Sequence, residues 1–298
     1  MRFAILLPVY NNLEYTKATL EGLSHHLDGI VEDLFHIVLI DDGSTDGTSD
    51  WVRQNYPEVI LLSGDGNLWW SGAVNIGASH SMNSLHADYI ILWNNDIDID
   101  DEYFPTLQKI VAETEESVVI GSKIYVAGQQ NQVWSAGGYF NPRSGKNGMY
   151  GYFEEDNDIL CRVRDVDWLT GMGTIIPTVV IDRIGLWDSQ RFPQYYGDSD
   201  FTYRAKLAGS KLRVYPDLKL YNHVANSGIE HRGDLKSLVK LFTDIRSKSN
   251  LKKKFLFTKL YAKSPRAYLP LIFFYMKVVG GFVKWKILNL MGIRKQTI

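Results

Sequence analysis

One cysteine, Cys161, in 298 residues leaves no disulfide framework to build, and neither C-x-x-C nor Cys/His zinc spacing occurs. That usage fits a reducing compartment, with Cys161 as a structural thiol. Long apolar runs are missing too. The nearest approach to a spanning helix, Ala267 to Val283, is interrupted by Lys277 and falls short of the roughly 18 uninterrupted apolar residues a membrane crossing needs. The apolar run Phe3 to Leu7 stops at Pro8, too short for a signal-peptide core, and predicts instead the first buried strand of a cytoplasmic protein. Two nucleotide-binding signatures are also absent. No G-x-x-x-x-G-K-[ST] occurs, and in GDGNLWW the third glycine of a dinucleotide fingerprint is replaced by Trp69. Internal repeats and low-complexity linkers are lacking as well.

What is present is an ordinary globular composition, 45% hydrophobic and 22% charged, long enough for one large or two small domains. The net charge of −2 conceals an asymmetry: from residue 225 onward sixteen Lys/Arg face three acidic residues, a local charge of +13, which leaves −15 for residues 1–224. An acidic domain with a basic appendage follows.

Over the first hundred residues two periods alternate. FAILLPV, HIVLIDD, VILLS and YIILWNND are short apolar runs of the kind a parallel sheet buries on both faces. Between them lie helical patterns: one with Leu13, Leu20, Leu23 and Leu27 on a shared face, one over Ser49–Tyr56 and one over Ser71–Ser84. Right-handed βαβ units and an open α/β sheet are the expected result. Ligands of such sheets bind beyond the carboxyl ends of the strands. Each strand here does end in polar residues: Tyr10-Asn11-Asn12, Asp41-Asp42-Gly43-Ser44, Gly64-Asp65-Gly66-Asn67 and Asn94-Asn95-Asp96. From about Val118 the chain becomes Gly- and aromatic-rich and predicts a smaller mixed sheet. A helix is expected over Pro177–Ile184, and another, capped by Asp198 or Ser199, ends at Gly209. Asp and Asn at strand ends suit a hard divalent cation, Mg²⁺ or Mn²⁺, of the kind that bridges phosphates.

Seven segments occur in a particular order: PVYNN, VLIDDGSTDGT, GNLWWSGAVNIG, LWNNDI, WLTGMG, YYGDSDFTYRAKLAG and YNH. In this order they resemble the family 2 glycosyltransferases of the GT-A fold, and most of all the bacterial branch that includes rhamnosyltransferases and galactofuranosyltransferases for cell-surface polysaccharides. The resemblance covers residues 1 to about 225, with a nucleotide-sugar half over 1–116 and an acceptor half over 117–225.

The resemblance implies a role for each strand end. Pro8, Tyr10 and Asn11 would lie beside the nucleobase and ribose, and Asp41 would accept from the pyrimidine N3–H. A turn is the other reading for Asp41 and Asp42, because DDGSTDG is turn chemistry, and it weighs more for Asp42 than for Asp41. Asn67, Trp69, Asn75 and Asn95 would wrap the nucleotide and diphosphate, although Trp69 and Trp70 could each be core packing instead of a sugar platform. Gly72 and Gly77 would permit close backbone approach. The family's D-x-D falls on Asn94-Asn95-Asp96, so that Asp96 becomes the direct metal ligand and Asn94 contributes a carbonyl oxygen or a bound water. Asp98 would support it, and Asp100 or Asp101 would cap the next helix. The general base of an E-D-x-D motif matches Asp198, with Gly197 where relatives carry glutamate. Asp200 would serve the acceptor side or the first helical turn. His223 would join the metal, His231 is a weaker candidate, and His25-His26 read as solvated surface. Trp168 and Gly171 would line the acceptor path, with packing as the other reading for Trp168.

The implied reaction is inverting, metal-dependent transfer from a dTDP- or UDP-sugar to a glycan or a polyprenyl-diphosphate-linked acceptor. Two rivals are a nucleotidyltransferase, which would want a Gly-rich, Lys/Arg-bearing loop where PVYNNLEY stands, and a non-catalytic nucleotide-sugar-binding protein. Residues 226–298 read as a basic amphipathic helical extension: either a peripheral contact with the anionic inner face of the plasma membrane or a helical cap on the catalytic domain. No RNA- or DNA-binding motif accompanies the charge, so nucleic acid is not expected.

Overall fold

A computed structural model describes residues 1–30, 35–129, 131–224 and 235–290. His231 and the terminal Arg294-Lys295 pair lie outside the described residues. Two compact units emerge, residues 1–139 with 148–227, and residues 140–147 with 228–298.

In the first unit β1 (Phe3–Val9), β2 (Phe35–Asp41), β3 (Ile60–Ser63) and β4 (Tyr89–Leu92) lie in the order β3-β2-β1-β4, all parallel. β1 and β2 read as unbroken apolar runs because both faces are covered. Ile5, Leu7 and Leu39 point into one cluster, whereas Leu6, Val38 and Ile40 point into another beneath α3 (Trp69–Asn83). Each fully buried Leu or Ile contributes roughly 1.5–3 kcal/mol before entropy is counted. Helix α1 (Leu13–Leu27) buries Leu20 and Leu23, two of the four leucines on its predicted face. Helix α2 (Thr48–Asn55) follows β2. Gly77 permits α3 its close approach: a Cβ there would meet Ile40 at 2.8 Å and Leu6 at 3.1 Å.

Beyond β4 come the short β5 (Ile97–Ile99), helix α4 (Tyr103–Glu113) and β6 (Val119–Val126). β7 (Gln132–Ser135) and the hairpin β8 (Gly138–Phe140) to β9 (Asn147–Met149) follow, then β10 (Glu154–Glu155), β11 (Arg164–Asp165) and β12 (Thr174–Pro177). Helices α5 (Thr178–Ile184) and α6 (Gly197–Leu207) precede the long β13 (Leu212–Asn222). The expected acceptor-side sheet is continuous with the nucleotide-side one. β12 sits antiparallel between β4 and β6, and β13 pairs β6, β5 and β11, so eleven strands share one sheet among the described residues.

In the second unit α7 (Leu235–Thr243), α8 (Leu251–Tyr261), a 3-10 turn (Pro265–Tyr268) and α9 (Leu269–Leu290) follow one another. Asn250 caps α8 by accepting from Lys253 N at 3.0 Å. Phe242 meets Tyr275 edge-on at 5.1 Å, and Tyr275 Oη donates to Ser249 O at 2.9 Å. No helix among the described residues is long and apolar enough to cross a membrane.

Candidate active site

The strand ends are stitched together before any ligand is considered. Asn11 and Asn12 stand in the left-handed region at φ 56° and 60°. From there Asn11 N donates to Ser44 Oγ at 2.7 Å, and Asn11 Oδ1 accepts from Thr45 N at 2.9 Å. Asp46 Oδ2 in turn accepts from Leu13 N, the first amide of α1, at 2.9 Å. PVYNN and DDGSTDG are therefore one interlocked loop pair. Pro8 is half-buried at the end of β1, and Tyr10 projects from it, 58% exposed.

The aspartate pair after β2 divides its work. Asp41 is buried; its Oδ1 accepts from Ser44 N at 2.8 Å and its Oδ2 from the Ser49 hydroxyl. Each oxygen keeps a lone pair that a pyrimidine N–H could use. Asp42, also buried, accepts from three amides of the next loop: Gly66 N at 2.9 Å, Leu68 N at 3.2 Å and Trp69 N at 3.0 Å. Of its two readings, loop organisation is the one this geometry supports. It holds Trp69 at φ 55°, a conformation that costs a bulky residue roughly 1–2 kcal/mol. Asn67, exposed, stands at the tip of that loop, donating its amide to Asp65 Oδ1 at 3.0 Å.

Several of the residues expected at the ligand are engaged by the protein itself. Asn75, expected at the diphosphate, instead exchanges both amide groups with the backbone of Trp187, at 2.9 Å each way. Trp168, expected on the acceptor path, is 8% exposed and lies against Gly138, where a Cβ would fall 2.0 Å from the indole. That contact fits the packing reading of the residue. Asp200, expected on the acceptor side, is buried and accepts from Arg204 Nε at 2.9 Å, one helical turn on; Arg204 also donates to Ile184 O and Leu186 O. Helix α6 begins at Gly197 after Tyr196 at φ 70°, with no side-chain cap, so Asp198 sits in its first turn and not at its cap.

Three segments then converge. Trp70 N donates to Gln194 Oε1 at 3.2 Å and Ser71 Oγ to Phe192 O at 2.6 Å. Gly171 and Gly197 both leave room for this junction: a Cβ at Gly171 would meet the Trp70 indole at 2.5 Å, and one at Gly197 would meet Ser71 Oγ at 2.1 Å. A larger residue at 197 would displace the Ser71 hydroxyl from its bond to Phe192 O. The Asp198 carboxylate is oriented on both oxygens. Oδ2 accepts from Gly171 N at 3.0 Å, and Oδ1 from Ser199 N at 2.7 Å and Ser199 Oγ at 3.3 Å. Burial raises its pKa above the ordinary 3.8, and these hydrogen bonds oppose the rise.

Asp96 and His223 are brought together by strand register. β5 pairs antiparallel with the end of β13, Ile97 opposite Asn222, so the next residues outward are Asp96 and His223. His223 N donates to Asp96 O at 3.0 Å, and its Nε2 lies 2.8 Å from Asp98 Oδ2. Asp98 thus orients the imidazole, leaving Nδ1 as the other ring nitrogen. Asp96 Oδ1 is buried without a hydrogen-bond partner, and burial raises the group's pKa, opposed by His223 and by a hydrogen bond from Asn94. Asn95, half-buried, separates the two. Asp100 leads into α4 by accepting from Glu102 N at 3.3 Å, whereas Asp101 lies 3.3 Å from His26. His26 is accordingly part of a surface pair and not simply solvated. Among the described residues no three His, Cys, Asp or Glu side chains form a ready metal cage. A lone carboxylate oxygen lacking a partner beside an oriented imidazole nevertheless fits a cation that brings further oxygen ligands of its own.

Tyr195 was not foreseen from the sequence. Burial, and to a lesser degree the charges of Asp96 and Asp198, raise its pKa, so the hydroxyl stays protonated. It belongs to RFPQYYG, a loop without periodicity, where only its position just before the Asp198 helix could have drawn notice.

The sequence profile described as Glycosyl transferase family 2 matches residues 4–167, more than half the chain. The chain is 25% identical over 211 residues to an N-acetylglucosaminyl-diphospho-decaprenol L-rhamnosyltransferase of Mycobacterium tuberculosis, covering 64% of this chain and 67% of the relative. It is 26% identical over 124 residues to the Streptococcus pneumoniae Glycosyltransferase GlyA, covering 41% of this chain but only 16% of that longer protein. The fold is similar to Staphylococcus aureus TarS 1-349, with TM-score 0.53 at 16% identity, covering 90% of this chain and 68% of that one. It is also similar to the mannosyltransferase PcManGT of Pyrobaculum calidifontis in complex with GDP-Man and Mn²⁺, with TM-score 0.58 at 17% identity, covering 90% and 67%. Strand ends, loop clamps, family profile and fold agree: the chain belongs to glycosyl transferase family 2 and has the GT-A fold.

Proposed function

We propose that the protein is an inverting, metal-dependent glycosyltransferase that moves a sugar, rhamnose-like or galactofuranose-like, from a dTDP- or UDP-donor to a lipid-linked or cell-surface glycan acceptor. The observation that carries this is the pair of differently prepared carboxylates: Asp96 with an oxygen left unpartnered, and Asp198 held by amides on both oxygens. Support for the donor and acceptor class comes from the mycobacterial relative, whose name is that of a rhamnosyltransferase acting on a diphospho-decaprenol.

In this reading Asp96 and His223 hold Mg²⁺ or Mn²⁺. A bound cation supplies charge to stabilise the departing nucleoside diphosphate. Asp198 takes the acceptor hydroxyl proton as the new glycosidic bond forms and the bond to the diphosphate breaks. Its Oδ2 carries one protein hydrogen bond against two on Oδ1, so Oδ2 is the oxygen that receives the proton. Catalysis is carried by residues 1–225. The basic extension, 226–298, makes peripheral contact with the cytoplasmic face of an anionic membrane, where a polyprenyl-diphosphate acceptor is held.

Thermal denaturation with a panel of nucleotide-sugars tests the donor side. One dTDP- or UDP-sugar with Mn²⁺ should stabilise the protein by about 2.7 kcal/mol at a hundred times its Kd. EDTA or Asp96→Ala should remove most of that gain. Equal stabilisation in EDTA would defeat the metal assignment. Failure to release nucleoside diphosphate from the bound donor would leave a binding protein instead of an enzyme.

A further inference from the structure

The second unit contains a cationic cleft that the catalytic reading does not use. Its walls come from two segments more than a hundred residues apart: the tip of the β8–β9 hairpin, and the chain from Lys263 into the first turn of α9. Backbone contacts lock them together. Lys263 N donates to Pro142 O at 2.8 Å, and Gly145, at φ 72°, lies so close to Ala267 that a Cβ would fall 1.9 Å from its carbonyl oxygen. The result is a cleft of about 620 Å³ lined by Arg143, Lys146, Lys263 and Arg266, with Leu269 and Phe273 along one side.

No carboxylate lines this cleft, and none of the four cations has an ion-pair partner among the described residues. Ser144 and Ser264 add hydroxyls whose oxygens accept from Lys146 N and Arg266 N, so that their protons remain to donate. Four exposed cations lining one cleft without an internal counter-charge leave a positive surface that an anion would neutralise. The apolar wall continues outward. Ile272, Met276, Val283 and Ile287 recur at helical spacing on α9, each at least 47% exposed, on the same stripe as Leu269 and Phe273. A free anion has no use for that stripe, and an apolar partner has no use for the cations. A lipid with a phosphate head suits both.

We propose that this cleft binds the phosphate group of a membrane-embedded lipid, with the lipid's hydrocarbon lying along the exposed stripe of α9. Arg143 and Arg266 grip the phosphate oxygens with their forked donors, and Lys146 and Lys263 add point charge. The inference rests on the proposed lipid-linked acceptor only for the view that a phosphate-headed lipid is at hand; the binding itself needs no sugar transfer.

Co-sedimentation of the full chain with phosphatidylcholine vesicles, with and without phosphatidic acid, reads it in the absence of any nucleotide-sugar. Binding should appear with phosphatidic acid, and the Arg143→Glu/Lys146→Glu pair should weaken it about tenfold or more. Reversal of Lys284 and Lys286, on α9 but outside the cleft, should weaken it far less. Unchanged thermal denaturation of the hairpin variant shows that the loss is not unfolding, and should that variant not fold, Lys263→Gln/Arg266→Gln repeats the test. Equal loss from both reversals would reduce the cleft to general surface charge and overturn the proposal. So would retention of binding in the cleft variants, a response to inorganic pyrophosphate but to no vesicle, or a stripe buried in a vesicle-independent dimer. Because no donor is present, a failure here leaves the glycosyltransferase reading intact, and a failure of that reading leaves this one.

Discussion

Asp198→Asn is expected to lower kcat by about 10²–10⁴-fold while leaving metal-dependent donor binding within a few-fold of the parent. The substitution keeps size and one acceptor oxygen, so the Gly171 or Ser199 amide contact survives, but an amide cannot take the acceptor's proton. Single-turnover transfer measured beside donor Kd separates the two effects. Near-normal turnover would remove Asp198 from the role of base, and a matching loss of donor affinity would make it a scaffold residue.

The pH profile carries the same assignment. Burial raises the Asp198 carboxyl above its ordinary 3.8, so in the folded protein the proton leaves only at higher pH. Activity requires the deprotonated form, so kcat/KM rises with pH along an acid limb centred above 3.8. Asp198→Asn should lose the part of that limb that Asp198 contributes and keep the part set by Asp96, whose pKa burial also raises. The stability consequence has the opposite sense. A buried acid with a raised pKa favours folding most when protonated, and that contribution is lost as pH rises through its folded value.

Much of this site could be read before any coordinates. The parallel strands β1, β2 and β4 are covered on both faces and therefore appear as plain apolar runs, and each ends in the polar residues that the crevice requires. Asp96 and Asp198 carry enough local pattern to be singled out. What stayed hidden depends on contacts between distant segments. Trp168 is equally plausible as platform or core until Gly138 is known to lie against its ring. Asn75 occupies a helical position whose facing partner, the Trp187 backbone, no periodicity reveals. Asp200 had a legible alternative, since Arg204 stands four residues on as an ion-pair partner. The hairpin tip at 140–147 reads as part of the acceptor half, yet it clusters with the helices beyond 228 because Gly145 and Pro142 meet the 263–267 segment. Asp96 and His223 were each identifiable alone, but their adjacency is a matter of strand register, which a sequence does not display.

Lys123→Met should be among the most destabilising single changes in the first unit, costing about 3 kcal/mol, the lower end expected for breaking a buried pair. Lys123 is wholly buried on β6, and its Nζ lies 2.6 Å from both oxygens of Asp156; the Lys and Asp side chains are 1% and 15% exposed. Tyr125 Oη donates to Asp156 Oδ2 at 2.7 Å, and Cys161 Sγ lies 3.6 Å from Lys123 Nζ. Burial pushes the Asp156 pKa up, but the hydrogen bonds from Lys123 and Tyr125 outweigh it and hold the group below 3.8. The pair's stabilisation is therefore present above that value and lost as pH falls through the folded pKa. Methionine fills the volume of Lys123 but abandons the carboxylate, whose burial then raises its pKa, so the deficit should be greatest near neutral pH and shrink in acid. Chemical denaturation at neutral and acid pH measures that difference. Adding Asp156→Asn to Lys123→Met removes the stranded charge while keeping an acceptor for Tyr125, and should recover part of the loss. A deficit independent of pH, or no recovery in the double variant, would mean that Lys123 stabilises the fold through its packing and not its charge.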